Sequence, residues 1–308
     1  MSSRFTLGTR GSPLALAQAN ETRRRLAEAH GWDPESVVLK SIRTSGDKIQ
    51  DRPLADAGGK ALFTKEIDAA LLAHEVDAAV HSAKDLPTFL PEGVALAGFL
   101  PREDPRDALI STLADTIEGL PPGATFGAAS LRRQAQALRL RPDLRPELLR
   151  GNVETRLKKA EAGEIGATLL AIAGLRRLGL AHRARAPLRL DAFLPAVGQA
   201  AIALTARAED AETLAALAAI SDPPTGAELA AERAFLTMLE GSCRTPIAGL
   251  ARVEGGRLRF RGQVLRPDGS ESFEVEAEGA SEDAARLGAE AGRDLRLRLP
   301  EGVMTPAG

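Results

Sequence analysis

The sequence is poor in cysteine, in aromatic residues and in long apolar segments. Its 308 residues include one cysteine (Cys243), one tryptophan and no tyrosine, and aromatic residues make up 3% of the chain. A single cysteine cannot form an internal disulfide and makes a poor metal site, so Cys243 is either an inert buried thiol or a reactive one. No apolar run approaches the roughly 20 residues that a membrane-spanning helix needs.

Charge, histidine spacing and the first residues exclude further classes. The formal net charge of −2 argues against a general attraction to nucleic acid. Residues 1–7 lack the apolar core of a signal peptide, so the sequence predicts a cytoplasmic protein. The four histidines are scattered without metal-ligand spacing, and no G-x-x-x-x-G-K-[ST] phosphate-binding motif occurs.

Strand and helix patterns alternate along most of the chain and predict an α/β protein. The patterns predict strands at residues 5–9, 37–42, 77–81, 94–99, 125–128, 148–150, 167–171 and 201–206. A long helix, three strands (247–253, 257–265 and 271–278) and a final helix then predict a C-terminal domain with an antiparallel sheet. We predict three domains: residues 1–100 with 198–220, residues 101–197, and residues 221–308. Residues 101–107 form the predicted crossover, and residues 222–224 a linker.

Arginine is concentrated where predicted strands lead into helices. Of the 40 basic residues, 33 are arginine, and residues 102–190 carry a net charge of +6. Cations at helix N-termini are unfavourable by roughly 0.3–1 kcal/mol each, so several of them favour a polyanionic ligand at these positions. Salt bridges between domains are the alternative explanation, and genomic bias could account for the arginine total. The arginines concerned are Arg10, Arg132, Arg133, Arg150 and Arg156, and Ser12, Ser130 and Asn152 are the predicted N-caps of the helices that follow.

Two other segments contain candidate site residues. Asp85, beside Lys84 at a strand end, is a candidate catalytic carboxylate that accepts an N–H bond or stabilises a developing cation. An ordinary capped turn with a solvated Lys-Asp pair is the alternative. Gly58 and Gly59 follow the polar stretch 44–57 within a long irregular segment, which predicts a mobile lid that carries Lys60 and Phe63.

The loop around Cys243 favours reactivity. Gly241, Ser242 and Pro246 predict a turn, and the adjacent Arg244 favours the thiolate form. A unique thiol on a loop suits a single covalent attachment. A catalytic thiol with a histidine partner stays open on spacing alone, although no motif supports it.

Taken together, eight motifs closely resemble the porphobilinogen deaminase (hydroxymethylbilane synthase) family. They occur in order from about residue 4 to residue 250, and a weaker resemblance continues through the C-terminal domain. The motifs are TRGSPLAL (residues 9–16), GGK (58–60), VHSAKDLP (80–87), REDPRD (102–107), SLRRQ (130–134), LRGN (149–152), LPAVGQ (194–199) and LEGSC (239–243).

The resemblance implies a fold and a reaction. The implied fold has two α/β domains of the type II periplasmic-binding-protein kind around a cleft, with a smaller α+β C-terminal domain containing a three-stranded antiparallel sheet. The family joins four porphobilinogen molecules head to tail, with release of ammonia, to give hydroxymethylbilane. The chain grows on a dipyrromethane cofactor held by a thioether to a loop cysteine. The resemblance also implies a monomer that acts on a small-molecule substrate and has no nucleic-acid or membrane partner.

The resemblance also implies residue roles. Cys243 matches the cofactor-attachment position, and Asp85 matches the catalytic carboxylate that accepts pyrrole N–H bonds. Gln199 matches the interdomain hinge, and Lys60 and Phe63 match the lid. The remaining matches hold cofactor or substrate carboxylates: Arg10, Ser12, Ser82, Lys84, Ser130, Arg132, Arg133, Arg150, Arg156 and Arg177.

The sequence departs from the family pattern at a few positions. Ala128 and Ala129 replace hydroxyl residues that are common before the SLRRQ motif, which puts one or two hydrogen bonds to the cofactor in doubt. Asp56 stands at a lid position that is often basic, and Ala61 and Ala200 replace frequent glycines. These changes are expected to alter lid or hinge mobility.

Two other functions stay open from the residues. A periplasmic-like solute-binding protein would also bind a small anion at strand ends, but it needs export and gives Cys243 no role. A cysteine-dependent acyltransferase or hydrolase would use the thiol, but it does not explain the arginine-bearing loops.

Overall fold

The computed structural model describes residues 5–48, 62–240 and 245–303. The chain divides into two compact units, residues 1–103 with 200–226 and residues 104–199 with 227–308. The three-domain division stays a prediction.

The first unit is built on a five-stranded mixed sheet. The strands are β1 (Phe5–Arg10), β2 (Val37–Ile42), β3 (Ala78–Ser82), β4 (Val94–Phe99) and β9 (Ile202–Arg207). They lie in the order β2-β1-β3-β9-β4, with β1 parallel to β2 and β3, and β9 antiparallel to β3 and β4. The helices are α1 (Pro13–His30), α2 (Ser45–Lys48), α3 (Lys65–Leu72) and α7 (Ala211–Ala218), with α8 (Pro223–Met238) beginning here.

Local chemistry explains where α1 begins and ends. The Ser12 hydroxyl accepts a hydrogen bond from the Ala15 N–H, and Pro13 occupies the first helical position, where no N–H is needed. The helix ends at Gly31, whose φ of 64° is the left-handed conformation that glycine adopts without strain. The buried face of α1 carries Leu26, which packs with Leu7 of β1 in the core of this unit. Full burial of each leucine contributes about 1.5–3 kcal/mol.

The parallel strands place three loops at one edge of this sheet. β1, β2 and β3 are neighbours and point the same way, so their carboxyl ends lie side by side. Arg10 ends β1, α2 follows β2, and the 3₁₀ turn Ala83–Asp85 follows β3. Side chains from these three segments can therefore meet.

The second unit contains a four-stranded sheet in the order β5-β8-β6-β7. β6 is parallel to β7 and β8, and β5 is antiparallel to β8. Phe126 and Leu169 anchor one apolar cluster of this sheet. Its elements are β5 (Asp107–Ile110), β6 (Thr125–Gly127), β7 (Arg145–Glu147), β8 (Ala167–Ala171), α4 (Leu131–Leu140), α5 (Val153–Glu161) and α6 (Ile172–Arg177).

The same unit ends in a three-stranded antiparallel sheet that packs against two helices. The strands β10 (Ile247–Glu254), β11 (Arg257–Leu265) and β12 (Ser272–Ala280) pair in chain order. The core between this sheet, α8 and α9 (Ala284–Arg298) is centred on Phe235 and Phe260, whose ring centroids lie 4.9 Å apart. A Cβ at Gly288 would lie 2.0 Å from the Ala231 carbonyl oxygen, so this glycine permits the close approach of α9 to α8.

The predicted α/β class and the C-terminal antiparallel sheet are confirmed. The strand predicted at 201–206 is β9, which pairs between β3 and β4. Three elements, β5, α2 and α7, escape prediction. No helix within the described residues combines the length and apolar character needed to cross a membrane.

Three local predictions are wrong. The strand expected at 148–150 is instead β7, three residues earlier, and Leu149 is buried in the loop that follows it. Pro223 and Pro224, expected in a linker, belong to α8, because proline is tolerated in the first helical turn. The stretch from residue 44 is not irregular throughout, since α2 (Ser45–Lys48) is helical.

Candidate active site

The first unit gathers predicted site residues at the carboxyl ends of its parallel strands. Arg10 is the last residue of β1 and Ser82 the last of β3, while Lys84 and Asp85 lie in the 3₁₀ turn that follows. Ser12 caps α1 immediately after β1. All five side chains are partly exposed, as ligand-binding groups must be.

Arg10 is shared between two carboxylates. Its Nε lies 3.2 Å from Asp47 Oδ1, its Nη2 also bonds that oxygen, and its Nη1 lies 3.8 Å from Asp85 Oδ2. The contact with Asp47 is therefore two-pronged, whereas the separation from Asp85 exceeds a hydrogen bond. Burial favours the neutral form of Asp47, but hydrogen bonds from Arg10 and Thr44 and the Arg10 charge outweigh it, so the pKa of Asp47 lies below its usual range.

Phe63 supports the same guanidinium from one face. The Arg10 Cζ lies 4.2 Å from the centroid of the Phe63 ring, within the range of a cation–π contact. The ring packs against Gly46 in α2, where a Cβ would lie 2.4 Å from a ring carbon. Lys60, the other predicted lid residue, lies outside the described residues.

Two buried polar contacts lie behind this edge of the sheet. The Ser82 hydroxyl lies 3.0 Å from the side-chain amide of Gln18, a buried residue of α1. His81 is buried, and its Nε2 lies 3.0 Å from the Thr205 hydroxyl. Burial and the Arg10 charge lower the pKa of His81 to about 4, so this imidazole is neutral at pH 7.

In the second unit, the predicted arginine motif is tied to a buried carboxylate. Ser130 caps α4, as predicted, by accepting a bond from the Arg133 N–H. Arg132 Nη2 donates to Asp107 Oδ2 at 2.7 Å, and Arg133 Nη2 donates to Asp107 Oδ1 at 2.8 Å. A protein carboxylate therefore compensates charge that the sequence predicts for a ligand, by a pairing inside one unit.

Gln199 joins the same carboxylate. Its Nε2 donates to Asp107 Oδ1 at 3.0 Å and to the Pro105 carbonyl at 2.7 Å, and its side chain is fully buried. Burial raises the pKa of a carboxyl, but the charges and hydrogen bonds of Arg132 and Arg133 hold the pKa of Asp107 far below its usual range. Asp107 is therefore ionised and links β5, α4 and the predicted hinge residue.

The remaining predicted arginines lie at other element ends of the second unit and are partly exposed. Arg150 precedes α5, which Asn152 caps by accepting a bond from the Thr155 N–H, as predicted. Arg156 lies in α5, and its Nε donates to the Gly151 carbonyl at 2.9 Å. Arg177 is the last residue of α6.

The structure thus brings Arg10, Asp85 and Phe63 together in one unit, and Ser130, Arg132, Arg133 and Gln199 in the other. Cys243 and Lys60 lie outside the described residues. The sequence reasoning missed Asp47, Asp107 and Gln18 as supporting residues. Asp47 had a usable signal, because it follows the end of a strand beside β1.

The described parts of the chain hold no group of three or more His, Cys, Asp or Glu side chains placed to bind a metal. A cavity of about 310 Å³ lies beside the three-stranded sheet, between an apolar floor and four arginines. Three of these arginines pair with glutamates of β12, for example Arg257 with Glu278 and Arg261 with Glu274. This is a charged sheet face.

Comparison with protein families gives two consecutive matches. The profile described as "Porphobilinogen deaminase, dipyromethane cofactor binding domain" matches residues 5–215. The profile "Porphobilinogen deaminase, C-terminal domain" matches residues 227–296. Together they span most of the chain.

Curated proteins with the same description align over nearly the whole length. The porphobilinogen deaminase of Nitrobacter hamburgensis is 60% identical over 300 residues, covering 97% of this chain and 95% of that protein. The porphobilinogen deaminase of Paracoccus denitrificans is 54% identical over 294 residues, covering 96% and 94%.

Similar solved structures include proteins with low sequence identity. The periplasmic VFT2 domain of Bordetella pertussis BvgS has a TM-score of 0.40 and 14% identity, covering 71% of this chain and 87% of that one. A Brucella ovis ABC transporter periplasmic binding protein has a TM-score of 0.42 and 16% identity, covering 77% and 69%.

Proposed function

The chain belongs to the porphobilinogen deaminase family, and we propose how its own residues carry out that family's reaction. The enzyme is a hydroxymethylbilane synthase, a transferase of tetrapyrrole biosynthesis that uses a dipyrromethane cofactor. It joins four porphobilinogen molecules head to tail and releases ammonia. Membership of this family excludes the solute-binding protein and the cysteine-dependent acyltransferase or hydrolase as alternatives.

The observation that carries the proposal is the setting of Asp85. Its side chain is 33% exposed at the carboxyl edge of the sheet, and Oδ2 lies 3.8 Å from Arg10 Nη1, beyond hydrogen-bond distance. This setting supports a role for Asp85 in accepting a pyrrole N–H bond. The carboxylate also stabilises positive charge that develops on a pyrrole nitrogen when ammonia leaves the aminomethyl group. Asp85 therefore acts as the catalytic carboxylate.

The donors of the second unit fit a ligand with several carboxylates. Arg132 and Arg133 each have an Nε that is buried and lacks a hydrogen-bond partner among the described residues. Guanidinium N–H groups beside the N-terminus of α4 suit the acetate and propionate groups of pyrroles. We assign this task to Ser130, Arg132, Arg133, Arg150, Arg156 and Arg177. The ion pairs with Asp107 hold Arg132 and Arg133 in place.

In the first unit, Arg10, Ser12, Ser82 and Lys84 would hold further carboxylates near Asp85, and Phe63 and Lys60 would cover the site. The neutralisation of Arg10 by Asp47 makes Arg10 an oriented N–H donor more than a free positive charge. Gln199, anchored to Asp107, would act at the hinge.

Cys243 is the proposed attachment point of dipyrromethane through a thioether. The C-terminal family profile spans it, and it is the single cysteine of the chain. When bound, dipyrromethane supplies the terminal pyrrole carbon to which the first substrate is joined. A monomer in the cytoplasm, with porphobilinogen as its small-molecule partner, stays our prediction.

The test is an Asp85→Ala variant compared with Asp294→Ala, which removes an exposed carboxylate paired with Arg298. We expect Asp85→Ala to lower kcat for porphobilinogen by at least about 100-fold, since it removes charge stabilisation at the reacting group. The cofactor mass and the unfolding midpoint should persist. Asp294→Ala should turn over normally. A wild-type kcat in Asp85→Ala would remove Asp85 from the mechanism.

A further inference from the structure

Asp47, Arg10 and Asp85 come from three neighbouring strand ends. Arg10 ends the central strand β1, Asp47 lies in α2 after β2, and Asp85 lies after β3 on the other side. The guanidinium therefore stands between two carboxylates that approach it from opposite neighbours. The side chains of Arg10 and Asp47 are 23% and 24% exposed, so water screens their interaction only in part.

Asp47 and Asp85 interact with Arg10 to different extents. Asp47 engages the Nε and Nη2 edge, with Nε at 3.2 and 3.4 Å from its two oxygens. Asp85 approaches Nη1 at 3.8 Å. A guanidinium engaged along one edge by a carboxylate is fixed in orientation and largely neutralised, so its pull on a second carboxylate is weakened.

Asp47 is itself held firmly. Thr44 is buried, and its N–H and hydroxyl donate to Asp47 Oδ2 at 3.3 and 2.8 Å. The neighbouring Gly46 provides the flat surface for Phe63, which supports the face of the Arg10 guanidinium. Residues 44–47 thus constrain Arg10 both along one edge and, through Phe63, at one face.

We propose that Asp47 is a positioning residue, which holds Arg10 away from Asp85 and so keeps the Asp85 carboxylate available to the substrate pyrrole. This inference rests on the role of Asp85 proposed above. Without the Asp47 charge, Asp85 is the one carboxylate of the described residues left within 4 Å of Arg10, and the guanidinium closes on it from 3.8 Å to hydrogen-bond distance. Asp85 would then be engaged by a permanent cation at the step where it must stabilise a transient one.

The experiment compares kcat and KM for porphobilinogen in Asp47→Asn, Asp47→Glu and Glu66→Gln. The amide of Asp47→Asn keeps an oxygen for Thr44 but removes the charge that holds Arg10. We expect kcat to fall about 10- to 100-fold, as for misplaced catalytic groups, with KM changed less than kcat. Asp47→Glu restores the charge and should recover most of kcat.

Glu66→Gln is the matched structural control. The Glu66 carboxylate of α3 accepts hydrogen bonds from the N–H and hydroxyl of Ser45 in α2, the helix that carries Asp47. Within the described residues it makes no ion pair with Arg10. A purely structural role for this segment would lower kcat equally in Glu66→Gln and Asp47→Asn, and that result would overturn the inference. A wild-type kcat in Asp47→Asn would do the same.

Two further measurements separate the possible failures. If Asp47→Asn does not fold, Thr44→Val removes one bond to Asp47 while leaving its charge, and a kcat reduced about 2- to 5-fold is expected. An unchanged kcat in folded Thr44→Val would then contradict the inference. If Asp85→Ala is inactive while Asp47→Asn is fully active, only the inference about Asp47 fails. If Asp85→Ala is active, the proposed function of Asp85 fails first.

Discussion

Asp107 and Arg132 form a buried ion pair, in which Nη2 donates to Oδ2 at 2.7 Å and the two side chains are 0% and 5% exposed. Arg133 and Gln199 donate to the other oxygen of Asp107. This carboxylate therefore organises the start of α4 and the residue predicted at the hinge. A buried pair of this kind need not stabilise the fold relative to apolar residues, but breaking it leaves a buried charge.

Asp107→Asn should accordingly destabilise the protein. The substitution keeps the shape of the side chain but leaves Arg132 and Arg133 buried without a counter-charge, so we expect a loss of about 3–5 kcal/mol. The free energy of unfolding in denaturant measures this loss. Glu28→Gln, which breaks the exposed pair with Arg24, is the control and should change the unfolding midpoint little. Equal midpoints for the two variants would show that the buried cations find other partners.

His81 should make the fold sensitive to mild acid. Its pKa is lowered to about 4 from 6.5 by burial first and by Arg10 second, so below pH 6.5 the unfolded chain binds a proton that the folded chain does not. Its contribution is complete above pH 6.5 and falls by up to about 3 kcal/mol as the pH drops to 4.

The measurement is the free energy of unfolding between pH 7 and pH 4 for the wild type and for His81→Gln, which can still bond Thr205. The wild type should lose more stability than the variant over this range. Parallel pH curves would mean that His81 titrates normally in the folded protein.

Local chemistry made several features predictable from the sequence. Ser12, Ser130 and Asn152 were expected as caps and are caps, because a short polar side chain before an amphipathic segment satisfies N–H groups within three residues. The strand ends that carry Arg10 and Asp85 followed from apolar patterning. Here the interactions are short-range, so the sequence pattern alone reports them.

The charge partners were not predictable in the same way. Arg10 pairs with Asp47 over 37 residues, and Arg132 pairs with Asp107 over 25. These choices depend on which strands lie side by side, and sequence periodicity does not determine that order. The sequence pattern therefore favours a ligand as the partner of these arginines and does not identify their protein carboxylates.

Ala200 is predicted to be a mild strain point. Ala200 stands at a position where the family often has glycine. Its backbone has a φ of 75°, which is unfavourable for a residue with a Cβ. Ala200→Gly should stabilise the protein by about 0.5–1 kcal/mol after the entropy cost of glycine. Ala203→Gly, in the extended strand β9, is the control and should destabilise it. A loss of stability in Ala200→Gly would contradict this reading.

The intact mass of the purified protein shows whether Cys243 holds the dipyrromethane on which the product grows. The active wild type should be heavier than its sequence by one dipyrromethane group, and Cys243→Ser should lack that excess mass and be inactive. An active wild-type protein with the unmodified mass, or a Cys243→Ser variant that keeps the extra mass, would show that the cofactor is not attached through this thiol.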